Sequence, residues 1–489
     1  MISDSRSVSS ISIVAIALVA SLCCVTGLGA LFDARRAQSG IGHAKQEGRR
    51  TGYWALGLCI ASYLLLIPGL VTKIFEFRIA AMGRTVVPDK EETMMSFIHT
   101  LGSTGSWVGS AFLVLFALVI PLAKILMFIV GEVWRHSSSA RRVAHARRCI
   151  ITLRLVSKWA CPDMFAYVLM VFLIRSLNHP PTLVGQMQLD VGFTCFTLFC
   201  VGSTLSCLGI RPPPAAGQEQ AAEPDPESRS EATGPQHFLL RRFGARGLAR
   251  LAVAPMASWI GLFAAGLILP CMALRLDVDA LVANGTIPPG LLDFVVNKLQ
   301  LPKLASADVS IWKCMSALVG WTRDGDMNTL IAFLMLSVFV VLFTVLDMLA
   351  MARVLEALHL RGKGADGDSW FEPAQMMRFS RTLKKICMLD VLVAGVIVVI
   401  LSGSIYDSQG LVLSLRWGLA CLIAAEISRY AVYGLLAVAL SGSGSPPAAA
   451  AAAVAAPVVV GQAVASPVDG RSREAGGDVE VAPGLQEAM

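Results

Sequence analysis

The sequence predicts an all-α membrane protein: two tandem, parallel-orientation four-helix transmembrane units behind an N-terminal signal-anchor helix. Three observations carry this reading. Several apolar runs reach the roughly 20 residues that a helix needs to cross a bilayer. The chain of 489 residues is 55% hydrophobic and only 15% charged, whereas soluble domains carry about 25% charged residues. The landmarks also come twice, in the same order: a first span with a proline near its end, a long second span, and a third span opened by a lysine and, five residues on, an aspartate. Basic residues collect in alternate loops, which is the mark of cytoplasm-facing segments and sets the orientation.

Residues 1–51 hold the first apolar run, at 11–32, and a basic segment. Gly29-Ala30 resembles a signal cleavage site. Arg35, Arg36, Lys45, Arg49 and Arg50 follow it, and cleavage would put them on the translocated side. The positive-inside rule therefore favours a retained anchor with its N-terminus outside. An organelle-targeting role stays open.

The first unit covers 52–210. Its spans are expected at roughly 53–76, 106–131, 157–177 and 190–210, with Pro68 and Pro121 breaking helical hydrogen bonds inside the first two. The loop between spans two and three carries Arg135, Arg141, Arg142, Arg147, Arg148 and Arg154 and is assigned to the cytoplasmic side. The loop after span one, with Asp89, Lys90, Glu91 and Glu92, falls on the far side.

A linker and basic segment follow at 211–250. It opens Pro212-Pro213-Pro214 and runs on in Gln, Glu, Pro and Ser, too polar to bury a core. The second unit, 251–440, has spans expected at roughly 252–275, with Pro270 as a kink, then 327–352, 386–405 and 411–440. Its inner loop again holds the cations: Arg353, Arg361, Lys363, Arg378, Arg381, Lys384 and Lys385. An even number of spans per unit gives both copies the same orientation, a parallel repeat. Within the far-side loop at about 276–326, Leu291, Leu292, Val295, Val296 and Leu299 share one helical face. That face suits packing on the spans, or the membrane interface or a partner. The tail at 441–489 is rich in Gly, Ser, Pro and Ala and is assigned no fold.

The candidate functional or helix-packing polar residues are Asp163 and Asp390, with Lys158, Lys385, Lys124 and Asp347. A charge deep in a bilayer costs roughly 2.5–3.5 kcal/mol on insertion scales, so each needs a partner, water or a neutral form. Asp163 reads equally well as a first-turn acid favoured by the helix N-terminus, or as a polar contact lining a path for a lipid headgroup. Lys124 is placed to reach Asp163 or to snorkel to the interface. Asp347 occupies the matching place with the opposite sign, and would need Lys384 or Lys385. Glu426 and Arg429, three apart, should pair locally, and Arg175 and Arg416 should reach headgroups.

No cofactor or metal is expected. The 12 cysteines include no C-x-x-C pair, and the seven histidines form no H-x-x-x-H or H-E-x-x-H spacing. A thiol or haem oxidoreductase has no ligands to use, and no phosphate-binding G-x-x-x-x-G-K-[ST] loop is present. The net charge of +7 sits beside spans, where it orients the chain, and does not argue for nucleic acid.

Three pieces together resemble a known family. Span one ends in an apolar run through proline, Leu64-Leu65-Leu66-Ile67-Pro68 and Leu267-Ile268-Leu269-Pro270. A Ser-Ile segment precedes span two, clearest in Ser310-Ile311-Trp312-Lys313. Span three opens in a W-x-M-x-D-V-F-like signature, Trp159-Ala160-Cys161-Pro162-Asp163-Met164-Phe165 and Ile386-Cys387-Met388-Leu389-Asp390-Val391-Leu392. In this the chain resembles the paraquat-inducible protein A family of multi-pass membrane proteins, over about 52–210 and 250–440. The resemblance implies two tandem four-span units and a membrane partner of MCE-domain lipid-shuttling proteins. It does not carry over the zinc ribbons of many members, because 33–51 and 211–250 contain no cysteine. The function it implies is lipid transport without covalent chemistry, with membrane lipids as ligands. The alternative is a secondary transporter of a small solute, which would place buried acids near the bilayer midplane.

Overall fold

A bilayer offers the backbone no hydrogen-bond partners, so apolar runs of this length close their bonds within helices. A computed structural model describes residues 2–38, 51–81, 84–179, 183–213, 235–276, 306–323, 325–361, 373–403 and 411–443. The pattern at 291–300, most of the linker, Lys363 and nearly all of the tail lie outside the described residues. Among those described, nine helical stretches are long and apolar enough to cross a membrane, the first near the N-terminus.

That first helix, α1 (Ile2–Gln38), lays an exposed apolar surface outward through Ile13, Ile16, Leu28, Leu31 and Phe32. It packs on α2 (Tyr53–Val71), where Gly29 lies close against the backbone of Trp54. Asp33 accepts the backbone N–H groups of Tyr53 and Trp54 at 3.0 and 3.1 Å, which satisfies two donors that open α2.

The first half continues with β1 (Lys73–Ala81), β2 (Arg84–Thr93), α3 (Met94–Ser103), α4 (Trp107–Arg135), α5 (Ala140–Val156), α6 (Pro162–Ser176), β3 (Leu183–Leu189) and α7 (Val191–Gly209). The second half holds α8 (Pro235–Leu251), α9 (Val253–Ile268), β4 (Met272–Leu276), β5 (Ala307–Val309), α10 (Ile311–Arg323), α11 (Met327–Leu360), α12 (Pro373–Ile386), α13 (Leu389–Gly403), β6 (Leu411–Leu415) and α14 (Trp417–Ser443).

Strands are the main departure from the all-α expectation. Each half carries a three-stranded antiparallel sheet, in the order β2-β1-β3 and β5-β4-β6. In both, the central strand follows the first span of its half, and one neighbour lies between the third and fourth spans. The sheets therefore sit at the end of the helices opposite the basic helices α5 and α12. Phe75-Glu76-Phe77-Arg78-Ile79 alternates with period two, the pattern of a half-buried strand. Phe75 is buried against Tyr167 and Phe97, with ring centroids 5.7 and 5.5 Å away. At this same end Trp107 and Trp417, 72% and 81% exposed, open α4 and α14, as interfacial aromatics do.

The long second spans share a second unforeseen feature. Each contains a π-helical segment, Leu115–Val119 in α4 and Met335–Leu342 in α11. A π turn widens the helix and leaves carbonyls open to other donors. The Phe339 carbonyl accepts the Met388 N–H at 3.1 Å, tying α11 to the start of α13.

The three prolines behave differently from one another. Pro68 lies inside α2. Pro121 comes two residues after the π segment of α4, which absorbs its missing N–H and ring clash. Pro270 is no kink: α9 ends at Ile268, and Leu269 before the proline is extended at φ −70°, ψ 148°. A residue preceding proline is pushed out of the helical region, so the helix stops.

Candidate functional site: a charged seam between the two halves

The third spans of the two halves, α6 and α13, pack on each other in the buried interior. The close approach depends on Gly395. A Cβ there would stand 2.7 Å from the Pro162 carbonyl oxygen and 3.0 Å from Phe165 Cβ. This crossing brings together residues that the sequence places in separate units.

Lys158 pairs with Asp390 across it, Nζ to Oδ2, at 2.5 Å. Both side chains are largely buried, at 9% and 15% exposure. The lysine of the first half thus meets the aspartate of the second. Lys158 lies in the short 3-10 turn Ser157–Ala160 that joins α5 to α6. Asp390 is in the first turn of α13, where it also accepts the Val391 N–H at 3.0 Å.

Asp163, the counterpart of Asp390, is fully buried in the first turn of α6, behind Pro162. Its Oδ1 accepts the Met164 N–H at 3.2 Å. Its Oδ2 has no hydrogen-bond partner among the described residues. Among those residues no ion pair joins it to Lys385, which ends α12 half-buried. The arrangement at the crossing is therefore asymmetric.

Lys124 does not reach Asp163, nor does it snorkel. The residue is 1% exposed, and its ammonium donates to the Ser157 carbonyl at 3.1 Å and the Ser203 hydroxyl at 2.8 Å. It also lies 5.8 Å from the ring centroid of Phe199. One side chain of α7, Ser203, and the backbone of the turn before α6, at Ser157, supply this nest.

Asp347 finds its cation on the fourth span rather than at Lys384 or Lys385. Arg429 Nε donates to Asp347 Oδ2 at 2.8 Å, and the Ser380 hydroxyl to Oδ1 at 2.5 Å. Lys384 instead stacks on Tyr430 and Tyr433, 4.3 and 4.4 Å from the ring centroids. Arg429 also donates to Glu426 at 3.1 Å, the local pair that their spacing predicts. The Cys387 thiol and the Thr344 hydroxyl close the group, 3.1 Å apart.

Lys124 and Asp347 stand five residues past Val119 and Leu342, the ends of their π segments. Ser203 and Arg429 stand twelve residues past Val191 and Trp417, the starts of the fourth spans. Each half thus joins its second span to its fourth at one level. The first half uses a cation among neutral groups, and the second an acid–base–acid triad.

Residues 53–212 match the family model of paraquat-inducible protein A. The resemblance read from the sequence stands over that stretch. No curated protein and no solved structure matches the chain. The matched stretch contains Lys124, Lys158 and Asp163; Asp390 and Arg429 lie beyond it. Together with the nine apolar helices among the described residues, the match makes the protein an integral, multi-pass membrane protein.

A second contact between the halves lies near the sheets. Arg175 does not reach for headgroups: it donates to the Met187 carbonyl at 2.5 Å, pairs with Asp326 at 3.4 Å and stacks on Trp321 at 4.5 Å. Asn328 donates to the Leu189 carbonyl at 2.8 Å and accepts the Thr194 hydroxyl at 2.6 Å. Among the described residues no cluster of three His, Cys, Asp or Glu is placed to hold a metal. Near the second sheet, burial pushes the Cys271 thiol up to about 12, far from the thiolate that redox or nucleophilic work requires.

Proposed function

We propose that the protein is a membrane component of a lipid-transport pathway, accepting or delivering lipid without covalent chemistry, beside a lipid-shuttling partner of the MCE-domain kind. The observation that carries this is the family match over residues 53–212. The geometry supports it physically. The two halves share one continuous apolar core, and set into it are ion pairs, side-chain hydrogen bonds and one glycine-dependent crossing. In the low dielectric of the interior such pairs favour discrete arrangements. The basic ends of the helices face the cytoplasm, or the equivalent side of an organelle, by the positive-inside rule.

Asp163 separates a structural role from a functional one. Asn has the same shape, and the carboxyl it replaces has no cation partner among the described residues. Asp163→Asn, alone and with Asp390→Asn, should lower transfer of labelled phospholipid between reconstituted vesicles by about tenfold or more, while the protein still inserts. Normal transfer by both variants would restrict these aspartates to a structural role.

A second reading, a secondary transporter of a small solute, draws on the same buried, half-satisfied carboxyl. It is favoured by vesicles in which the protein moves no labelled lipid yet dissipates an imposed pH gradient.

A further inference from the structure

Along α11, Leu346, Leu349, Ala350 and Arg353 fall at i, i+3, i+4 and i+7, one stripe of the helix. Met376 and Phe379 of α12 form the facing wall. Between them runs an open groove of about 280 Å³ lined by these six residues. Behind it the Ser380–Asp347 hydrogen bond holds the two helices together. Leu349 and Phe379 are 58% and 45% exposed, so the groove opens outward.

Its polarity runs along the helix. Leu346 and Arg353 are seven residues, or about 10 Å, apart at 1.5 Å rise. The apolar end points into the span, and the guanidinium lies towards the basic end, where exposed Arg378 flanks Phe379. Arg353 is 73% exposed and pairs with exposed Glu356 at 3.1 Å. A groove of this volume is below the ~300–1,000 Å³ of a small-molecule pocket, room for one hydrocarbon chain rather than a whole lipid.

We propose that this groove seats one acyl chain of an anionic phospholipid, with its phosphate on Arg353. Charge and polarity select this occupant: apolar walls at bilayer depth, and cations at the level where the cytoplasmic leaflet presents its anionic headgroups. The inference rests on the membrane placement of α11 in the lipid reading, but not on lipid movement being the protein's task.

The test is native mass spectrometry of the full chain in mild detergent, with phosphatidylglycerol or phosphatidylcholine added. Wild-type protein should retain phosphatidylglycerol in preference to phosphatidylcholine. Arg353→Ala, an exposed change that leaves packing intact, should lower that retention about fivefold, the weight of one cation near an anionic surface. Leu349→Trp, which fills the groove, should lower it further, and Glu356→Gln should raise it. Arg142→Ala on α5, away from the groove, should leave it unchanged. Equal retention of the two lipids, or full retention by Arg353→Ala, overturns the proposal. A lipid-transfer assay on the same variants keeps the two readings apart. Failure of wild-type transfer removes the transport function, whereas normal wild-type transfer with equal retention of the two lipids, or with full retention by Arg353→Ala, removes the seat and leaves transport standing.

Discussion

At the level of single residues, the seam shows how a buried charge in a membrane protein becomes tolerable. Lys158 and Asp390 each remove the other's desolvation problem, and removing one strands its partner, typically at a cost of about 3–5 kcal/mol. Lys158→Met and Asp390→Leu should therefore each lower the melting temperature in detergent sharply. The double variant should lie close to wild type, because an apolar pair of similar volume avoids the penalty altogether. Additive losses in that cycle would show that the two side chains do not act as a pair. Which residues would be buried and charged was legible from the sequence, since Lys158, Asp163, Asp347, Asp390 and Arg429 all stand out against apolar runs. Who pairs with whom was not. Asp347 meets Arg429, 82 residues away in the chain. Lys158 meets Asp390 in the other half. Neither partnership follows from helical spacing, which reports only neighbours three or four residues apart.

At the level of elements, the π segments are the least expected part of the design. They widen α4 and α11 at matching places and set the rotational phase of the turns beyond them, including Lys124 and Asp347. Deleting one residue within Met335–Leu342 would convert π to α geometry and turn the downstream helix by roughly 100°. Asp347 would then leave Arg429, and the Phe339 carbonyl would lose Met388. This deletion should destabilise the protein by more than about 3 kcal/mol in a denaturation series, as breaking a buried ion pair does, whereas a deletion in the linker at 214–234 should be silent. Similar stability of the two deletions would mean that the π geometry sets nothing. Helix existence was readable throughout from apolar run length. Helix ends were less readable: the third span is expected from about residue 157, whereas a 3-10 turn occupies Ser157–Ala160 and α6 opens at Pro162. The strands escaped because an apolar span runs straight into an alternating segment: Thr72 alone separates α2 from β1. The π segments leave no mark in hydropathy at all, since every residue in Met335–Leu342 except Ser337 is apolar.

For the whole molecule, the recurrence of one element order argues for two copies of a single ancestral unit standing the same way up. Strand order β2-β1-β3 in one half and β5-β4-β6 in the other repeats the same topology. If the copies share an orientation, cysteines introduced at Arg142 and Arg378 should react with a membrane-impermeant thiol reagent from the same side. A cysteine at Lys73, the first residue of β1 in the first sheet, should react from the opposite side. Arg142 and Arg378 on opposite sides would end the parallel-repeat reading. The repeated third-span signature was visible in the sequence, but the unlike partners of the matching positions were not. Lys124 opposite Ser203 and Asp347 opposite Arg429 occupy corresponding stations with unlike chemistry. Unlike stations make the halves non-interchangeable: two first halves would set Lys158 against Asp163 in a place built for Asp390, and would lack Asn328 to cap the Leu189 carbonyl. Expressed as separate polypeptides cut within 214–234, the fragments should therefore co-purify as a one-to-one heterodimer. Neither alone should form a stable homodimer, so matching the pieces, rather than tethering them, is what assembles the protein.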